Sequence, residues 1–202
     1  MALTMKGLIL RASAVVLLPI VVLVAGGTVM NVASGRRLPA NSSRSGEKLT
    51  PLNQRWLGYD AAAIASYWGG LDPEGKDAER RFLQFDLVFP TLFAAALAAS
   101  VLAGVRLAGR RFSPAWPLAL VAIGLFSDWT ENLVQLRLLD DVVKALVSNP
   151  GRALMPDPDR ATLASIGTMT KLYAEAIVMA VIVVCAVLGL RRAGPAASQT
   201  NR

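Results

Sequence analysis

Several side chains able to do acid-base chemistry stand inside otherwise apolar stretches of this 202-residue chain. Asp128, Glu131, Asn132 and Gln135 follow one another at i, i+3, i+4 and i+7, the spacing of one helical face. Lys171 and Glu175 interrupt a second stretch, in phase with Thr168, and Asp86 stands at the head of a third. A charge inside a bilayer is costly, so by default it marks either function or a buried pair. Carboxylates in such a place can serve as general bases or hold a cation through oxygen. A lysine can stabilise developing negative charge. Asp86, Asp128, Glu131 and Glu175 face a single lysine, and that excess of carboxylates calls for protonation, a bound cation or an aqueous opening.

Composition narrows the chemistry further. The chain is 54% hydrophobic and 17% charged, too oily and too segmented for a soluble domain of this size. Histidine is absent, which removes Ser-His and Cys-His catalysis, His-ligated haem and zinc sites that need imidazole. The one cysteine, Cys185, lies in an apolar run, so neither an intramolecular disulfide nor a cysteine-ligated metal is expected. A divalent cation on carboxylate oxygens stays open as a cofactor. The net charge of +7 reads first as membrane topology and lipid contact. No basic-aromatic surface points to nucleic acid. There is also no phosphate-binding glycine loop and no nucleophile elbow.

The elements that must position these residues are membrane helices. The fold expected is all-α: a polytopic four-helix bundle forming a single integral membrane domain over 1–202. Spans are expected at about 8–30, 82–107, 114–137 and 162–190, each reaching the roughly 20 residues needed to cross a bilayer. The first is read as a retained anchor, because its apolar run exceeds a signal-peptide core of about 7–15 residues. The third begins at Ser113-Pro114, an N-cap followed by proline at the first helical position, and continues as an amphipathic helix to about Val147. The fourth begins with the same device, Asp157-Pro158.

The long first loop, 34–81, is expected outside the cytoplasm. In it, Asp60 caps a short helix over Ala61 to Trp68 that stops at Gly69-Gly70. Asp72-Pro73 starts another that runs straight into the second span. Trp56, Tyr59, Tyr67 and Trp68 suit a membrane-water boundary. The stretch 34–50 reads as a polar, flexible segment. Lys6 and Arg11, then Arg106, Arg110 and Arg111, then Arg191 and Arg192 fall on one side if both termini are cytoplasmic, which fits a cell inner membrane.

Depth along each helix follows from 1.5 Å per residue. Asp128 lies roughly 20 Å and Glu131 about 24 Å from the cytoplasmic edge at Ala115. Glu175 and Lys171 lie about 22 and 28 Å from Leu190, and Asp86 roughly 30 Å from Arg106. All fall in the outer half of a core about 30 Å thick. In the second span, Pro90 follows Asp86 by one turn and opens the backbone there. Small residues such as Ala94, Ala98 and Gly104 let helices approach closely. The result is a tight bundle with an outward-facing polar pocket.

The series Asp86-Leu-Val-Phe89-Pro90, Asp128-Trp-Thr-Glu131-Asn132 and Thr170-Lys171 resembles a family of small bacterial four-helix membrane proteins over about residues 56–190. That resemblance implies four helices and a shared polar site, and brings no activity with it. Glu131, Gln135, Arg137 and Asp140-Asp141 are also similar to a series in VanZ-type membrane proteins, with one spacing changed; that likeness points toward lipid-linked or cell-envelope molecules.

Three functions compete. The first is an enzyme acting on a lipid or lipid-linked head group, with Asp128, Glu131 and Lys171 catalytic and Asp86, Asn132, Gln135 and Glu175 binding substrate. The second is a proton- or cation-coupled carrier, a homo-oligomer answering the small size of one unit. The third is a non-catalytic subunit or assembly factor. An outward-open hydrophilic cavity favours the first two, and fully paired charges favour the third. Membrane lipids are the partners expected in every case.

Overall fold

The computed structural model describes residues 5–36, 51–109, 112–148 and 155–198. Among them every regular element is helical. The order is α1 (Met5–Ser34), a 3-10 turn (Leu52–Gln54), α2 (Ala61–Gly69), α3 (Pro73–Phe85), α4 (Phe89–Ala108), α5 (Ala115–Ser148) and α6 (Pro158–Ser198). Three stretches are long and apolar enough to cross a membrane: α1, the α3–α4 stretch Pro73–Ala108, and Pro158–Arg192 of α6. Helix α5 has 34 residues, about 50 Å at 1.5 Å each, but turns polar from Asp128 onward. The loop residues 37–50 and the arginines Arg110 and Arg111 lie outside the described residues.

Helix starts follow their capping residues. Asp60 accepts from the Ala63 N–H at 2.8 Å, Asp72 from Gly75 at 2.6 Å and Asp157 from Arg160 at 2.9 Å. Pro73 and Pro158 take the first helical position, where a missing N–H costs nothing. At α5 the expectation is off by one residue. The Pro114 carbonyl accepts from the Leu118 N–H at 3.0 Å, so Pro114 itself is the cap and Ala115 opens the helix.

The helix expected to run unbroken from Asp72-Pro73 through the second span is interrupted. Helix α3 ends at Phe85, Asp86–Val88 form turns, and α4 restarts at Phe89. Proline explains the break: Pro90 has no N–H to give the Asp86 carbonyl four residues earlier.

The chain forms two compact units. One comprises Met1–Ala25, Thr91–Gly124 and Tyr173–Arg202. Its buried residues run in narrow stripes at helical spacing: Leu8, Ala12 and Val15 on α1; Leu97, Val101 and Ala108 on α4; Val178, Ile182 and Cys185 on α6. The stripes meet at small residues. A Cβ on Gly104 would stand 3.2 Å from the Cys185 Cβ and 3.5 Å from Val15, and one on Gly189 would stand 3.0 Å from Leu107. The other faces stay apolar, with Leu10, Val21, Val24, Leu92 and Val184 exposed. Only 22% of the apolar window of α1 is buried, a balance suited to lipid rather than water outside.

The second unit comprises Gly26–Pro90 and Leu125–Leu172. Its core joins the 3-10 turn and α2 to the polar halves of α5 and α6, through Leu52, Ile64, Tyr67, Trp68, Leu83, Leu138, Leu139 and Ala164. Ion pairs tie its surface together. Arg80 of α3 reaches Asp140 of α5 at 2.6 Å, and Arg160 of α6 reaches Asp141 at 3.1 Å. All the residues of the site described next belong to this unit, apart from Glu175.

Candidate functional site

A continuous polar network lies buried in the second unit. Helical spacing puts Asp128, Glu131, Asn132 and Gln135 on one face of α5, and α6 brings Thr168 and Lys171 against that face. The approach is close because residue 167 is glycine. A Cβ there would stand 2.9 Å from the Ser127 carbonyl oxygen and 3.1 Å from the Glu131 Cβ. With the helices so near, the Lys171 ammonium sits between two carboxylates, 2.7 Å from Asp128 Oδ1 and 2.7 Å from Glu131 Oε2. It donates a hydrogen bond to Asp128, and its approach to Glu131 Oε2 is an ion contact without hydrogen-bond alignment. Glu131 is fully buried, and Asp128 and Lys171 nearly so.

Amides hold the carboxylates in place. Asn132 Nδ2 donates to Asp128 Oδ1 at 3.0 Å, and Gln135 Nε2 donates to Glu131 Oε1 at 2.8 Å. Each amide has a second acceptor. Asn132 Nδ2 reaches the Asp86 carbonyl at 2.6 Å, the oxygen that Pro90 leaves without a helical partner. One residue on, the Trp129 indole N–H donates to the Leu87 carbonyl at 3.0 Å. Two α5 side chains thus stand in for the backbone donors lost where α3 gives way to α4. The buried Asp86 side chain lies in electrostatic range of Asp128, Lys171 and Glu131, so three carboxyls share the field of one lysine.

Gln135 Nε2 makes its second bond, 2.7 Å, to the hydroxyl of Tyr59, which also lies 3.2 Å from Thr168 Oγ1. Thr168 donates back to the Ala164 carbonyl at 3.2 Å, so the phenol donates to Thr168 and accepts from Gln135. The Tyr59 N–H donates to Ser165 Oγ at 2.8 Å. Next to it, Gly58 has φ +78°, and a Cβ there would fall 2.5 Å from Ser165 Oγ and 2.8 Å from Met169 Sδ. Only glycine lets this corner of the chain lie so flat on α6. Burial raises the Tyr59 phenol above the usual range, and Glu131 adds to the effect.

A second buried charge cluster was not foreseen. Arg36, just past α1, pairs with Glu79 of α3: Nε lies 2.8 Å from Oε2, and Nη2 donates to Oε1 at 3.0 Å. Nη2 also donates to the Tyr67 hydroxyl at 3.0 Å, and the guanidinium stacks 4.0 Å over the Phe82 ring. Burial works against the Arg36 charge, but Glu79 and Tyr67 outweigh it and hold the group above its ordinary value. Burial pushes the Tyr67 phenol up to about 12, with Glu79 adding to it.

The structure therefore brings together Asp86, Asp128, Glu131, Asn132, Gln135 and Lys171, the residues singled out by type and spacing. Glu175 belongs to the other unit, where it is half-buried and its stem packs 3.7 Å from the Cβ position of Gly124. Tyr59 and Thr168 join the network, whereas their sequence signals were only boundary aromatic and helical phase. Among the described residues, no group of three or more His, Cys, Asp or Glu is arranged to hold a metal ion. The arrangement can store and exchange charge: proton transfer to or from Asp128 or Glu131 changes what holds Lys171. Compared with family models, curated proteins and solved structures, the chain matches none.

Proposed function

We propose that this is a multi-pass inner-membrane protein in which Asp86, Asp128, Glu131 and Lys171 form the exchanging site of a proton- or cation-coupled carrier. The reading takes α1, the α3–α4 stretch, α5 and α6 as four spans with both termini cytoplasmic, and places the site in the outer half of the bilayer. One observation carries it. A third carboxyl, Asp86, is buried at a helix break whose carbonyl is held by Asn132, the same amide that holds Asp128, one of the two carboxylates sharing Lys171. Interrupted helices that expose carbonyls next to intramembrane carboxylates are a recurring way to hold a coupling ion. A proton or small cation arriving at Asp128 or Glu131 weakens one of the two contacts of Lys171 and frees α6 to shift against α5. A homo-oligomer supplies the remaining walls of a pathway.

The double ion pair of Lys171 favours a second reading, a non-catalytic subunit whose charges fasten its helices. The lipid head-group enzyme draws less support, because the groups it needs, Glu131 and Lys171, are buried and engaged with each other.

Reconstitution tests the choice. Protein in liposomes loaded with a pH-sensitive dye is driven by a potassium diffusion potential, with and without a sodium gradient. The carrier reading expects ion flux above that of empty vesicles, and its loss in Asp86→Asn at unchanged thermal stability. Flux equal to empty vesicles in every condition sinks it. A lipid species that changes in cells lacking the chain, and returns with the natural chain but not with Glu131→Gln, would restore the enzyme.

A further inference from the structure

The net charge is not spread evenly over the chain. The residue ranges of the first unit hold eight Lys and Arg against one acid, Glu175, so the whole net charge of +7 falls there and the second unit is balanced. Helix packing gathers these cations at one end. Helices α4 and α6 run parallel: Gly104 packs on Cys185, Gly189 on Leu107, and a Cβ on Gly109 would fall on the Arg192 guanidinium. Helix α1 runs the other way, with Val15 at Gly104 and Gly26 at Phe89. At 1.5 Å per residue from the level of Gly104, Arg106 lies about 3 Å toward this end, Arg11 about 6 Å, Arg191 about 9 Å and Lys6 about 14 Å. These four and Arg192 are exposed, and among the described residues none of the five forms an ion pair.

We propose that this end of the first unit binds anionic phospholipid, with phosphate on the cations and acyl chains on the helix flanks beside them. The site is separate from the buried network and does not depend on the carrier reading. Its surface has the two-part chemistry of a lipid. Ile9 and Leu10 stand between Lys6 and Arg11, Leu102 one turn before Arg106, and Val184 and Val187 in the two turns before Arg191; all five apolar side chains are exposed. A long cationic side chain can lie along such a surface and hold its charged head at a lipid phosphate. An acidic protein surface would answer the charges but not the valines and leucines beside them. Orientation in a membrane is set by Lys and Arg in short loops. Arg11 and Arg106 stand instead within α1 and α4, about a turn or less from the packed level of Val15 and Gly104, where a head group reaches them from the side. Five cations at one end of three packed helices repel one another, and an anion among them relieves that repulsion.

The test reads lipid binding alone, independently of flux. The purified full chain in a neutral detergent is given phosphatidylglycerol or phosphatidylcholine with the same acyl chains, and bound lipid is counted by native mass spectrometry over a concentration series. Phosphatidylglycerol is expected to bind roughly tenfold more tightly or better. Arg106→Gln with Arg191→Gln and Arg192→Gln should bring the two lipids within about twofold of each other. Arg137→Gln removes an exposed cation of the second unit and should leave the preference unchanged. Melting followed by tryptophan fluorescence identifies folded variants. If the triple variant does not fold, Lys6→Gln with Arg11→Gln decides, with an expected loss of about threefold or more in the preference. The proposal is overturned if the natural chain binds both lipids equally, if a folded variant keeps the full preference, or if Arg137→Gln weakens it as much as the triple change. Polyglutamate that displaces phosphatidylglycerol at a concentration below that of the lipid also overturns it, in favour of an acidic protein partner.

Discussion

Replacing Lys171 by methionine tests what the buried cluster is worth. At 2.7 Å and an effective dielectric near 20, each of its two carboxylate contacts is roughly 6 kcal/mol of attraction. Taking three ions out of water costs several kcal/mol apiece, so the intact cluster comes out near neutral. Methionine fills a similar volume but leaves Asp128 and Glu131 facing each other with no cation. Breaking a buried pair in this way costs about 3–5 kcal/mol. For a chain of this length that is on the order of a 10 °C fall in melting temperature. Removing the three groups in contact together, Lys171→Met with Asp128→Asn and Glu131→Gln, leaves no unpaired charge between α5 and α6 at this point and should recover at least half of the loss. Thermal unfolding of the detergent-solubilised protein, followed by tryptophan fluorescence, measures both. Two results would refute the reasoning: a Lys171→Met protein that melts with the natural chain, or a triple variant less stable than the single one.

Three further outcomes are expected. Asn132→Leu removes the donor on which the Asp86 carbonyl depends and should cost about 1–3 kcal/mol, the penalty of an unsatisfied buried group. Pro90→Ala returns an N–H four residues after that carbonyl, so in a double-mutant cycle it should offset part of the Asn132→Leu loss; strictly additive effects would count against this account of the break. Tyr67 titrates near 12, above the roughly 10 of an exposed phenol. The native state therefore keeps this proton longer than the unfolded chain. The stability tied to it is whole below about pH 10 and is lost as pH rises toward 12. Absorbance at 295 nm should show a late-titrating phenolate that disappears in Tyr67→Phe.

The parts of the site that were legible in the sequence lie within one helix or follow from a capping rule. Asp128, Glu131, Asn132 and Gln135 declare their common face by spacing alone. Asp60, Asp72 and Asp157 declare helix starts, and Pro90 the weakness at Asp86. Contacts that depend on the third dimension were not legible. Glu79 is followed by Arg80 and Arg81 and reads as one more surface charge, although Phe82 and Leu83, three and four residues on, mark its face as buried. Arg36 looks like a loop cation until Glu79 and Tyr67 are placed around it. Tyr59 reads as an interfacial ring, because nothing in its neighbours announces a hydroxyl aimed at Gln135. Glu175 keeps phase with Lys171, but one turn further along α6 it falls in the other compact unit, beside Gly124, and phase along a helix does not say which neighbours surround its next turn.

The pairing of Lys171 with Asp128 also has a consequence for biogenesis. The two residues are 43 positions apart, and the ribosome makes the acidic one first. On the four-span reading, α5 reaches the translocon carrying Asp128 and Glu131 without their cation. Each such charge near a helix centre opposes insertion by about 2.5–3.5 kcal/mol. At roughly 5–20 residues per second, Lys171 follows only seconds later. Helix α5 is then expected to wait at the translocon and to enter the lipid together with α6, as a preassembled hairpin whose charges have already met.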